Sequence, residues 1–222
     1  MAIGKKITKV KNKLNNSDVI FISFYTNQGK YPSLKDKLLN SLNNLELKSN
    51  IVEVPKFESW TVGNLFKPRF IISQLLKYRK PVVWLDIDIE VLKFPSLLFE
   101  NHDFAAYNWR ADSNHHLEGK IDIDPDTNKL FSAGGVLKFA YTAPSIELLI
   151  RWIDVISSSK EKKRDDIMLD LAFNNFKIPI NRLWLPKVYN RMDKHTSHWS
   201  SIPINEVVIN HDYTDGRHIQ DL

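Results

Sequence analysis

The chain has 222 residues, 43% hydrophobic and 26% charged, the mix of an ordinary globular protein and not of a disordered one. It has no cysteine, which excludes a disulfide scaffold, a thiolate zinc site and a cysteine nucleophile, and no apolar run as long as the ~18 residues a spanning helix needs. The formal net charge of +5 belongs to the N-terminus: Lys5, Lys6, Lys9, Lys11 and Lys13 carry five of the 31 basic residues, and the remaining 26 balance 26 acids.

That opening segment has no apolar core, so no secretory signal is expected. Residues 1–16 read as a solvated basic tail ahead of a single domain over 17–222. A cytoplasmic location fits, peripheral at a membrane if the lysines make weak contact with anionic lipid. A nucleic-acid reader would carry its basic footprint on the folded surface. The body is neutral, so no nucleic-acid partner is expected.

Asp18 to Tyr25 is a short run rich in β-branched and aromatic residues and predicts a buried strand. Residues 26–30 form a loop, and Pro32 suits the first turn of a helix carrying Leu34, Leu38, Leu42 and Leu45 at helical spacing. A second strand covers Ile51 to Val54. A loop around Trp60 to Asn64 and a helix from about Pro68 to Tyr78 follow. Pro81 to Val91 reads as one long strand, the strongest in the chain. This strand–helix–strand–helix–strand order predicts an α/β fold with a mainly parallel sheet flanked by helices.

The second half is mixed. Phe104 to Tyr107 predicts a short strand and residues 115–126 a polar loop. Leu130 to Phe139 predicts a strand interrupted at Gly134 and Gly135. Helices are expected over Pro144 to Ser157 and Asp165 to Phe173, and a last strand over Ile204 to Ile209.

Asp86 and Asp88 close the apolar run Val82 to Leu85. Two residues apart on a strand, they point to one face. Adjacent carboxylates repel, and burying them needs positive charge between them. A hard divalent cation, Mg²⁺ or Mn²⁺, supplies it. In open sheets ligands bind beyond the carboxyl ends of strands, where this pair lies. The bland alternative is a strand end whose acids are solvated.

Through VVWLDIDIEV the chain resembles nucleotide-sugar-dependent glycosyltransferases of the GT-A fold, whose metal motif is a hydrophobic strand ending in Asp-x-Asp. FSAGGVLKF, RDDIMLDLAF, LWLPKVYN and INHDY match further motifs of that family in order, between about residues 18 and 217. Ala133 and Gly134 stand where many members have Ser-Gly, and Asp166 stands where they have glutamine.

The resemblance implies a mixed, Rossmann-like sheet and transfer of a sugar from a nucleoside-diphosphate sugar, a UDP-sugar above all, to a hydroxyl acceptor. The acceptor class, whether glycan, lipid-linked or protein, stays open. It implies Mn²⁺ or Mg²⁺ held by Asp86, Asp88 and His211, which offsets negative charge on the departing diphosphate. Phe24, Tyr25 and Thr26 would meet the nucleoside. Lys67, Arg69 and Arg217 would approach the donor, and Ala133, Gly134 and Gly135 would let it near the backbone. Asp165 and Asp166 would act at the reacting sugar, with retention of configuration. Helix capping is the alternative for those two acids, and a β-bulge for the glycines.

Asp112, His115, His116 and Glu118 form a polar cluster of metal-ligand types, and Trp109, Trp184 and Trp199 are candidates for an acceptor platform. Two other functions remain open. One is a non-catalytic relative that only holds a nucleotide or glycan. The other is a metal-dependent nucleotidyltransferase, which would release pyrophosphate; the chain has no P-loop.

Overall fold

The computed structural model describes residues 19–111, 126–192 and 202–211. The basic tail, the cluster at residues 112–118, Trp199 and Arg217 lie outside the described residues.

Strand β1 (Ile20–Thr26) leads into helix α1 (Tyr31–Asn44), with Pro32 in its first turn, and then β2 (Ser49–Val54). Helix α2 spans Trp60–Tyr78. It starts two turns earlier than the sequence indicates, because Ser59 caps it: the Val62 N–H donates to the Ser59 hydroxyl. Pro68, expected in a first turn, lies inside the helix, and Arg79 closes it at φ 50°.

The apolar run from Pro81 is not one strand. β3 (Val82–Leu85) stops before Asp86, the chain turns over Ile87 and Asp88, and β4 (Ile89–Val91) joins a different sheet. Both halves are apolar because both are buried, so periodicity does not reveal the break.

After β4 come β5 (Phe104–Asn108), β6 (Ser132–Phe139), α3 (Ala143–Ser158) and α4 (Asp165–Asn174). Two short strands, β7 (Arg182–Leu185) and β8 (Arg191–Met192), add to the expected elements. The last strand, β9, covers Ile209–His211 rather than 204–209, since residues 204–206 form a turn.

Six strands form one sheet in the order β2-β1-β3-β6-β5-β7, and β4-β9-β8 form a second. Pairs β1–β2, β1–β3 and β5–β7 are parallel, while β6 runs antiparallel to both β3 and β5. The fold is therefore a mixed α/β domain with a mainly parallel sheet flanked by helices.

Alternation along the strands splits the core in two. Phe21, Val83, Leu85, Ala105 and Val136 face α1 and the small sheet. Ile22, Trp84, Phe104, Leu137 and Phe139 face Phe70, Leu149, Trp152 and Met168 on α2, α3 and α4. The β5–β6 ladder slips near the glycine pair: Ala106 opposes Leu137, yet Asn108 opposes Ser132. The intervening residues of β6, including Gly134 and Gly135, bulge toward the end of β3.

Candidate active site

The break after β3 assembles the site. The Asp86 N–H donates to the Gly135 carbonyl (2.9 Å) and the Ile89 N–H to the Asp86 carbonyl (3.1 Å), so the chain is pinned as it crosses between sheets. Asp86 precedes this turn and Asp88 lies in it, so they do not share a strand face, contrary to the expectation from their spacing. They converge because β4 pairs with β9, with Ile89 opposite His211.

His211 Nε2 lies 3.3 Å from Asp88 Oδ1 and 3.7 Å from Asp86 Oδ2. One donor atom from each residue falls within 4.8 Å of the others. Ligands ~2.1 Å from an octahedral ion are ~3 Å apart when adjacent and ~4.2 Å when opposite. The three donors fit that spacing, so two carboxylates and one imidazole could together hold a divalent cation. His211 is 1% exposed. Burial alone would push its pKa down, but Asp88 and then Asp86 hold it above its ordinary value.

The two oxygens of Asp86 have different partners. Oδ1 accepts from Trp84 Nε1 (2.8 Å) and faces Lys67 Nζ (3.0 Å), whereas Oδ2 turns to His211. Trp84 precedes Asp86 by two residues. The carboxylate is thus anchored on one side and presented on the other.

Lys67 sits mid-helix on α2, not at a helix start, and is buried. It lies 2.5 Å from Asp165 Oδ2, and its ammonium donates to the Gly134 carbonyl (3.2 Å). Burial alone would lower its pKa, but Asp165 and Asp86 outweigh that and hold it above the usual lysine value. Arg69 departs from expectation: it is exposed, and its guanidinium donates to Ser157 on α3, outside the cavity wall.

These groups line one cavity of about 850 Å³. Phe24, Tyr25 and Thr26 at the end of β1 form one wall, and Trp60, Gly63 and Asn64 of α2 another. Phe24 is also held in an aromatic cluster with Phe57, Phe66, Phe70 and Trp84. The Tyr25 hydroxyl donates to Glu53 (3.0 Å). Ala133, Asp165 and Asp166 close the far side, and Gly134 and Gly135 lie just behind them. Gly134 has φ +71°, which favours glycine, and a Cβ there would stand 3.2 Å from the Asp166 Cβ. Asp166 accepts from Nη2 and Nε of Arg164, at 2.7 and 3.2 Å. Of the tryptophans, Trp109 lines the cavity, whereas Trp184 packs on Phe173 and donates to the Thr127 carbonyl.

The fold has solved counterparts. A glycosyltransferase involved in glycosylation of the major capsid of PBCV-1 superposes with a TM-score of 0.64 at 12% identity, over 91% of this chain and 96% of that one. The glycosyltransferase GlyE of Streptococcus pneumoniae TIGR4 gives 0.50 at 18% identity, over 87% of this chain and 54% of its own. The chain has a glycosyltransferase fold. No family model and no curated protein matches the sequence.

Sequence reasoning passes over several residues that build the site. Trp84 is legible as the residue two before Asp86, inside β3. Asp170 is legible as the residue one helical turn after Asp166. It accepts the Ser132 N–H (2.9 Å) under the bulge, and burial pushes its carboxyl up to about 8. Arg164 reads in the sequence only as part of a charge run.

Proposed function

We propose that the chain transfers a sugar from a nucleoside-diphosphate sugar, in the first instance a UDP-sugar, to an acceptor hydroxyl. The observation that carries this reading is the Asp86–Asp88–His211 cluster inside a large cavity at the carboxyl ends of β1 and β3. Its setting on a glycosyltransferase fold supports it.

Asp86, Asp88 and His211 would hold Mn²⁺ or Mg²⁺, which neutralises charge on the departing diphosphate when bound. Trp84 and Lys67 keep Asp86 aimed. Phe24, Tyr25 and Thr26 offer ring faces and a hydroxyl to the base and ribose. The small side chain of Ala133 on the cavity wall lets the donor approach, and the glycine pair behind it makes room for Asp166 and His211. In the transfer, the bond from the sugar carbon to the diphosphate oxygen breaks. A bond to the acceptor oxygen forms, and the acceptor proton ends on the diphosphate.

The reading includes retention of configuration, and the pairing of the two acids supports it. Inversion needs a carboxylate base ready to take the acceptor proton. Asp165 is paired with Lys67 and Asp166 with Arg164, so each acid already has a cation beside it.

Thermal unfolding against a panel of nucleotides and nucleotide sugars, with Mn²⁺, Mg²⁺ or EDTA, tests the reading. A ligand at ~100 times its Kd adds ~2.7 kcal/mol of stability, roughly 5–10 °C for a domain of this size. The expected result is a rise with UDP or a UDP-sugar that is lost in EDTA. No rise with any nucleoside diphosphate at millimolar concentration would overturn it.

A further inference from the structure

Asn190 is fully buried, and neither its side-chain nitrogen nor its side-chain oxygen has a hydrogen-bond partner among the described residues. Buried amides are almost always bonded, because an unmet donor or acceptor costs about 1–3 kcal/mol. An orphaned carboxamide in a core therefore points to a task.

Its position is fixed by the backbone. The Asn190 N–H donates to the Lys187 carbonyl (3.0 Å) and the Val208 N–H to the Val188 carbonyl (2.8 Å). In the next two residues Arg191 pairs with Asn210 and Met192 with His211. Asn190 is thus carried alongside the strand that presents the imidazole.

Gly135 shows what the two side chains share. A Cβ on Gly135 would lie 2.5 Å from both Cε1 and Nδ1 of His211 and 3.4 Å from Oδ1 of Asn190. The carboxamide oxygen and the Nδ1 edge of the ring therefore border the same gap in the backbone. The opposite nitrogen, Nε2, already faces Asp88 and Asp86.

We propose that Asn190 is the positioning residue for His211: its side-chain oxygen accepts the Nδ1–H and so holds the Nε2 lone pair toward Asp86 and Asp88 for a divalent cation. A ligating histidine needs its second nitrogen held, and the partner fixes both tautomer and ring angle. The Asn190 side chain borders that edge of the ring. The inference rests on the metal centre proposed above.

Mn²⁺ alone, titrated by electron paramagnetic resonance against the full chain, is the probe, with melting temperature recorded in parallel. Asn190→Leu keeps the volume and removes the acceptor, so Mn²⁺ should bind about 10–100-fold more weakly while the melting temperature holds or rises. Asn190→Asp keeps an acceptor and should bind within a few-fold of the parent. In the Mg²⁺-loaded parent, ¹⁵N NMR should show the His211 proton on Nδ1. Parental Mn²⁺ affinity in Asn190→Leu would overturn the inference and leave the metal centre standing. If Asn190→Leu fails to fold, weak binding by a folded Asn190→Asp together with a proton on Nε2 would overturn it. No Mn²⁺ binding by the parent itself would bring down the metal centre, and this inference with it.

Discussion

Lys67 and Asp165 meet 2.5 Å apart at a place where Lys67 is 4% exposed and Asp165 about 10%. The same ammonium faces Asp86, 3.0 Å away. One buried cation thus ties α2, the start of α4 and the turn after β3 together. Removing one member of a buried pair leaves uncompensated charge and costs about 3–5 kcal/mol. Lys67→Met is expected to lower the melting temperature by roughly 6–20 °C. Lys67→Arg, which keeps the charge, should lose less. An undiminished melting temperature in Lys67→Met would show that the pair does not hold these elements together.

The glycine pair makes a sharper test, because the two positions fail for different reasons. A Cβ at Gly135 would enter the His211 ring, and the buried imidazole has nowhere cheap to go. Overpacking of this kind costs about 1–3 kcal/mol. Gly135→Ala should therefore weaken Mn²⁺ binding at least tenfold while the protein still folds. Gly134→Ala meets a positive φ and the Asp166 Cβ instead, so it should lose stability by about 1–2 kcal/mol with the smaller effect on Mn²⁺. Mn²⁺ titration and urea unfolding of the two variants read the difference, and equal Mn²⁺ affinities would contradict it.

These two glycines also mark how far the sequence can be read. β1, α1, β2, α3 and α4 are visible within a few residues because each has one period and a clear boundary. The two-residue turn between β3 and β4 is hidden, since apolar residues flank it on both sides. So the carboxylates are legible as a pair, but not the reason they converge. His211 is reached only through a resemblance, because its approach to Asp88 depends on β4–β9 pairing across most of the chain. β8 has two residues and β7 begins at Arg182, too little pattern to declare either. Arg69 is misplaced for a related reason: with α2 begun at Trp60, Lys67 turns inward and Arg69, two residues on, turns out.

Asp170 predicts a pH dependence with a definite sign. In the folded chain its carboxyl keeps its proton up to about pH 8, because burial penalises the anion. The unfolded chain releases that proton near the ordinary value of 3.8. The native state therefore binds more protons between those limits, and stability contributed by Asp170 is lost as pH rises through them. Every tenfold difference in proton affinity between the two states is worth about 1.4 kcal/mol, so the total is on the order of a few kcal/mol. Asp170→Asn keeps an acceptor for the Ser132 N–H and removes the titration. Urea unfolding at pH 5 and pH 8.5 should find Asp170→Asn the more stable of the two proteins at the higher pH. A parent that loses no more stability than the variant over that interval would refute the assignment.

Trp84 joins the core to the proposed metal centre in a single side chain. Its ring packs on Phe24 and Phe70 and lies 5.1 Å beneath the Lys67 ammonium, while Nε1–H holds Asp86 Oδ1. Phenylalanine retains most of the packing and the face offered to the cation, but it cannot donate. In Trp84→Phe the carboxylate keeps Lys67 and loses its second anchor, so Oδ2 is held less firmly toward His211. Partners of metal ligands typically contribute about 10–100-fold in affinity. Mn²⁺ should therefore bind more weakly by about that factor, while the melting temperature falls only a few degrees. A stability loss with unchanged Mn²⁺ affinity would assign Trp84 to the core alone and leave the aim of Asp86 to Lys67.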